Sequence, residues 1–200
     1  TLVDLPQGNG RTPAIIVPTK QGDIYVLNRA TGEPLTRVEE RPAPAGEVPG
    51  NKLSPTQPHS VDMPVLRKPD LTERDMWGLT PLDQLYCRIK FRRASYTGLY
   101  TAPTLGKSWI QWPGYNGGND WGSVAVDTDR GILVANYNNT PMYDRLMTRE
   151  EADERGLVAL GMPGGSSDSE GPAPMMGTPY AADISPFRLA ATGLMCNEPP

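Results

Sequence analysis

Pro18–Leu35, PTKQGDIYVLNRATGEPL, decides how this chain folds. Ile24-Tyr25-Val26-Leu27 is a short apolar run rich in β-branched and aromatic residues, and Ala14-Ile15-Ile16-Val17 just before it is another. Gln21-Gly22-Asp23 between them has turn chemistry, as has Ala30-Thr31-Gly32 beyond them. The stretch therefore predicts a hairpin, then a tight turn into a short third strand at Pro34-Leu35. Lys20 stands where the first strand should end. A solvated strand-end cation is the ordinary reading of such a lysine, and a ligand for it has to be argued from the rest of the chain.

Working outward, 22 Pro and 21 Gly make up about a fifth of the 200 residues, with only 2 Phe but 4 Trp and 8 Tyr. Mean hydropathy is −0.46. This is a turn-rich, helix-poor composition that still supplies large side chains for packing, and it lies below the proline-plus-glycine level of outright disorder. The net charge of −4 gives no support to nucleic-acid binding. The basic cluster Cys87–Arg93, CRIKFRR, reads as a solvated strand face. No stretch approaches the ~20 apolar residues of a membrane span, and no signal peptide is visible. The chain opens at TLVDLPQG and stops at LMCNEPP, which reads as a piece of a longer protein.

Further along, six prolines between Arg41 and Pro64 argue against regular structure there and for a long excursion. Thr72 with Asp75 forms a capping-box-like helix start, and a second helical stretch fits Thr80–Arg88. Strand patterns return at Trp109–Trp112, Ser123–Val126 and Ile132–Ala135, the last two joined by a DTDRG turn. Thr148–Gly156 reads as a short capped helix, and GMPGGSSDSEGPAPMMGTP as a loop. Strand–turn–strand units at both ends of the chain suit a sandwich or a propeller.

Few motifs carry chemistry by spacing alone. His59 has no Ser or Cys motif near it for a triad. GYNGGND lacks the P-loop Lys-Ser/Thr and leads into a strand, and DTDRG is too short for an EF-hand. The two cysteines, Cys87 and Cys196, cannot make a zinc site by themselves. They are either two unrelated buried thiols or one disulfide closing a long loop; the disulfide is favoured, and it requires an oxidising compartment.

Seven motifs in order nevertheless carry a resemblance: PTKQGDIYVLNRATGEPLTRVEERPAP, LSPTQP, DMWG, DQLYCRI, YTGLYTAPT, WPGYNGGNDWGSVAVD and MCNEPP. Over essentially its whole length the chain resembles the membrane-bound quinoprotein dehydrogenases of the glucose/quinate/shikimate/polyol family, whose cofactor is pyrroloquinoline quinone (PQQ). The resemblance implies an all-β fold: residues 1–200 as two to three blades of an eight-bladed propeller, with residues 41–108 a Pro-rich excursion containing short helices. It implies that Lys20 reaches the quinone oxygens and that Asn136 lies near the cofactor, with Asn138 and Asn139 as close rivals for that position. The base, an aspartate, is expected upstream of Thr1, so no catalytic residue is assigned within the chain and Asp4 is read as a strand residue. Ligands to the accompanying Ca²⁺ or Mg²⁺ are expected mostly outside it too.

By the same resemblance, the parent oxidises a polyol or cyclic alcohol by hydride transfer to PQQ and passes electrons to ubiquinone. It would be anchored through an N-terminal region on the periplasmic side of the bacterial inner membrane. The isolated segment is expected to be inactive without the remaining blades. Tyr115, Asn116, Asn119 and Asp120 make the GYNGGND loop more polar than in glucose-type members, which favours quinate, shikimate or another polyol. Trp121 is read as a core residue. Glucose oxidation within the family, and a non-catalytic propeller scaffold, are the alternatives.

Overall fold

Alternating apolar residues and glycine-bearing turns make eleven strands and two helices in the computed structural model, which describes residues 1–115, 118–119, 122–159, 162–165, 171–174 and 176–198. In chain order the first five strands are β1 (Leu2–Gln7), β2 (Gly10–Pro18), β3 (Ile24–Asn28), β4 (Val38–Pro42) and β5 (Thr56–Ser60). Helix α1 (Pro81–Arg93) follows, then β6 (Ser108–Gln111), β7 (Val124–Asp127), β8 (Ile132–Ala135) and β9 (Met142–Thr148). Helix α2 (Arg149–Glu154), β10 (Gly171–Pro174) and β11 (Tyr180–Ile184) complete the order. The chain divides into two compact units, the first comprising residues 1–43, 54–69 and 115–139, the second residues 44–53, 70–114 and 140–200.

In the first unit, β1, β2 and β3 form an antiparallel sheet with Val3 opposite Ala14 and Ile16 opposite Val26. Period-two alternation puts Val3, Ala14, Ile16, Ile24 and Val26 on one face, buried together with Val124. Pairs β4–β5 and β7–β8 are two-stranded ribbons. Pro34–Leu35 is less than the expected strand: Pro34 makes a single bridge to Leu27, and the Leu35 amide donates to the Val26 carbonyl.

The β4–β5 ribbon also corrects the reading of Arg41–Pro64 as wholly irregular. Pro42 ends its strand and Pro58 lies opposite Glu40. Both strands of a ribbon are edges, so a proline that lacks an N–H leaves no ladder donor missing on a further neighbour.

In the second unit the sheet order is β10–β11–β9–β6, all antiparallel. Strand β10 lies inside the stretch read as a loop; its Gly171–Pro174 backbone pairs with Ala181–Ile184, a tertiary contact that composition does not announce. The basic cluster Cys87–Arg93 belongs to α1, correcting its reading as a strand face. Thr80 caps this helix in a capping box with Asp83, Pro81 sits at the first turn, and the helix runs on past Arg88 to Arg93. Thr72 and Asp75 form a second capping box on a single 3-10 turn, where Glu73 pairs with Arg88 (2.7 Å) and Arg92 (2.5 Å) of α1. Thr148 caps α2.

Cys87 of α1 is joined to Cys196 by a disulfide (Cα–Cα 5.2 Å), inside a core with Leu71, Met76, Ile110, Trp112, Phe187 and Leu189. Among the described residues no helix is long and apolar enough to cross a membrane.

Candidate functional site

Lys20 sits in the turn between β2 and β3, and the backbone of that turn is held at every carbonyl. The Gly22 amide donates to Thr19 O (3.0 Å), and the Thr19 amide and hydroxyl donate to Asp23 O (3.0 and 2.9 Å). Tyr137 Oη donates to Lys20 O (3.1 Å), Arg67 Nη1 to Gln21 O (3.3 Å) and the Leu66 amide to Gly22 O (2.8 Å). Gly22, with φ +92°, allows Arg67 to approach: a Cβ there would lie 2.6 Å from the Arg67 amide nitrogen. The lysine side chain is exposed, and its Nζ donates to the Tyr115 carbonyl (2.6 Å).

That carbonyl opens the loop that brings Asn136 to the same corner. Gly118 and Asn138 exchange both backbone hydrogen bonds, and Gly118 packs on the Lys20 backbone so closely that a Cβ would lie 2.3 Å from Lys20 O. Asn119, buried, donates from Nδ2 to the carbonyls of Ser123 (3.1 Å) and Asn136 (2.8 Å). With both amide hydrogens committed to carbonyls, the orientation of that amide is set. Its Oδ1 has no hydrogen-bond partner among the described residues. Asn136 follows β8 directly, with an exposed side chain. Asn139 is engaged elsewhere, accepting from the Lys68 amide (3.1 Å). Of the loop residues singled out from the sequence, Asn116 and Asp120 lie outside the described residues, as does Trp121.

Beneath the turn lies a buried ionic group. Asp23 is 2 % exposed, and its Oδ2 is 3.7 Å from Arg67 Nη1 and 3.9 Å from His59 Nδ1. Burial pushes the Asp23 carboxyl up, against the pull of Arg67, His59 and Arg41 in that order. Burial likewise pushes His59 down, with Asp23 the main opposing influence. His59 is thus an interior residue beside a carboxylate. Neither Asp23 nor Arg67 stands out in the sequence; the one local signal is Gly22, whose missing Cβ makes room for Arg67.

The structure therefore fastens Lys20, Tyr115, Asn119 and Asn136 into one corner of the first unit. An exposed ammonium and an exposed amide on a fixed backbone can each donate hydrogen bonds to oxygens of an anionic ligand. A metal is not supported in the same way. Among the described residues no group of three or more His, Cys, Asp or Glu side chains comes together to hold one, so none is assigned to a metal.

Small antiparallel sheets with few helices are consistent with a segment of a β-propeller. The chain belongs to the PQQ-dependent dehydrogenase propeller family: the profile described as "PQQ: Glucose/ethanol/alcohol dehydrogenase, beta-propeller domain" matches residues 1–200. It is 56 % identical to the glycerol dehydrogenase large subunit of Gluconobacter thailandicus over all of its length, which is 28 % of that protein. It is 41 % identical to the quinate/shikimate dehydrogenase (quinone) of Acinetobacter baylyi, covering 24 % of it. Against the quinoprotein glucose dehydrogenase of Escherichia coli the identity is 34 %, again over 24 % of that protein. The chain thus spans about a quarter of the length of the curated relatives it matches. No solved structure matches it.

Proposed function

We propose that this chain is the segment of a PQQ-dependent polyol dehydrogenase that presents Lys20 and Asn136 to the quinone. The observation that carries the reading is the Lys20 turn: an exposed ammonium on a backbone whose five carbonyls, Thr19 to Asp23, all accept hydrogen bonds. When bound, the quinone supplies the two-electron acceptor for hydride removed from the alcohol carbon. Lys20 places a fixed positive charge where negative charge develops on an acceptor oxygen, and such charge costs no reorganisation at the moment of reaction. The Tyr115 carbonyl keeps the ammonium at the edge of the loop, and the Asn136 amide adds a neutral donor.

The rest of the proposal concerns the parent. Its base is an aspartate outside this segment, its Ca²⁺ or Mg²⁺ is held by residues elsewhere, and its electrons pass to ubiquinone. The Cys87–Cys196 bond suits an oxidising compartment, here the periplasmic side of the inner membrane, with the parent anchored through a region outside the segment. The sequence of the GYNGGND loop, more polar than in glucose-type members, supports a polyol. The identities, 56 % to a glycerol dehydrogenase subunit against 41 % to a quinate/shikimate enzyme, favour an open-chain polyol over a cyclic one.

Replacing Lys20 with Ala in the full-length parent should weaken PQQ affinity by about tenfold or more, the scale of one lost charge-assisted hydrogen bond. Turnover at saturating PQQ should fall as well. Titration of the apoenzyme with PQQ, followed by fluorescence quenching, measures the first. Unchanged affinity and turnover would remove Lys20 from the site.

A further inference from the structure

Among the donors to the carbonyls of the Thr19–Asp23 turn, one differs in kind. Gly22, Leu66 and Thr19 offer amides, and Thr19 and Tyr137 offer hydroxyls. Arg67 offers a guanidinium, to Gln21 O. The same nitrogen lies 3.7 Å from Asp23 Oδ2, and neither oxygen of that buried carboxylate accepts a hydrogen bond from a described residue. Burying a carboxylate this way is costly. An apolar pair in its place would avoid that cost, so what the charges add is direction: a planar fork with a fixed orientation toward one carbonyl.

That carbonyl adjoins the lysine. Tyr137 fixes the Lys20 carbonyl and Arg67 the Gln21 carbonyl, so the two peptide planes that follow the Lys20 Cα are both pinned, and with them the direction in which its side chain leaves. We propose that Arg67, neutralised by Asp23, is a positioning residue that fixes the Thr19–Asp23 turn and thereby the Lys20 ammonium. The proposal rests on the reading of Lys20 as a cofactor ligand and adds how its ordering cost is met before the cofactor arrives.

The test uses the full-length apoenzyme in two forms, Arg67→Met and Arg67→Met with Asp23→Asn. Amide hydrogen exchange read by mass spectrometry should rise about tenfold in the Thr19–Gly22 peptide, with β2 and β3 unchanged, and PQQ affinity should fall about tenfold. The double variant no longer buries a carboxylate that has lost its arginine and keeps only His59 beside it, so its thermal stability should recover toward wild type. Its fast turn exchange and weak PQQ affinity should persist. Recovery of exchange and affinity together with stability would overturn the proposal, since Arg67 would then serve only to neutralise Asp23. Unchanged exchange in the turn would overturn it, as would a uniform rise across β2 and β3. If Lys20→Ala leaves PQQ affinity unchanged, the cofactor reading falls by its own measurement, while the exchange data still decide whether Arg67 fixes the turn.

Discussion

Asp144 shows what burial does to a single carboxyl in this fold. It lies on β9, 2 % exposed, and its Oδ1 accepts from the Ser185 amide at 3.3 Å. Burial pushes its pKa up to about 7, the Ser185 hydrogen bond works against that, and Asp183 adds to it. The folded protein therefore holds a proton that the unfolded chain releases above the ordinary carboxyl range. The sign follows: this contribution is fully present at low pH, is lost as pH rises toward 7, and stays lost above it. Asp144→Asn keeps the acceptor and removes the charge. It should stabilise the protein at pH 8 by on the order of 3 kcal/mol, with the gap closing toward pH 4. Urea unfolding of both forms at pH 5 and pH 8 measures this; equal pH slopes would show that Asp144 is not the responsible group. Asp23 is pushed the same way, but it has Arg67 and His59 beside it, so its substitution alone would mix charge loss with the loss of a partner.

At the scale of elements, α1 shows how far local rules reach. Thr80, Pro81 and Asp83 mark its start within four residues, and the structure contains that capping box. Its far end depends on packing: Lys90 donates to the Arg188 carbonyl (2.8 Å) and lies 4.2 Å from the Tyr143 ring centroid. That burial pushes Lys90 down, with Arg188 adding to the effect. The bond from Cys87 of this helix to Cys196 spans 109 residues of sequence. Closing a loop of that size removes unfolded-state entropy worth about 5 kcal/mol. Replacing both cysteines with serine should lower the unfolding free energy by roughly that amount, with the effect of reduction on the native protein matching it. An unchanged denaturation midpoint would mean that strain or residual unfolded structure offsets the entropy.

For the whole molecule, the question is which alcohol the parent oxidises. The identities order glycerol dehydrogenase subunits above quinate and glucose enzymes. Assayed with PQQ, Ca²⁺ or Mg²⁺ and a dye acceptor, the full-length parent should show a kcat/KM for glycerol at least about tenfold above that for quinate, shikimate or glucose, a ratio that needs only ~1.4 kcal/mol of differential binding. A quinate or shikimate preference would keep the family and restore the cyclic-alcohol reading. Inactivity on all four with no PQQ binding would point to a scaffold that kept the fold alone.

The sequence by itself determined the local pieces, because they rest on neighbours in the chain. The Ala14–Val17 and Ile24–Leu27 strands, the turn at Gln21–Asp23, and the caps at Thr72, Thr80 and Thr148 all follow from residues a few positions apart. The place of Lys20 in that turn was legible too, while its role toward a cofactor came only from the family resemblance. Tertiary structure alone decided what depends on residues far apart meeting. It made a ribbon of β4 and β5 out of a proline-rich stretch, and a strand of Gly171–Pro174. It placed Arg67 and Asp23 under the lysine turn and tied Asn136 to it through Asn119 and Gly118. No pattern of period two or 3.6 encodes these contacts. Such pairings, from Pro174 with Ala181 seven residues on to Gly118 with Lys20 98 residues away, are selected by packing and hydrogen-bond satisfaction of the whole fold, which local propensity does not register.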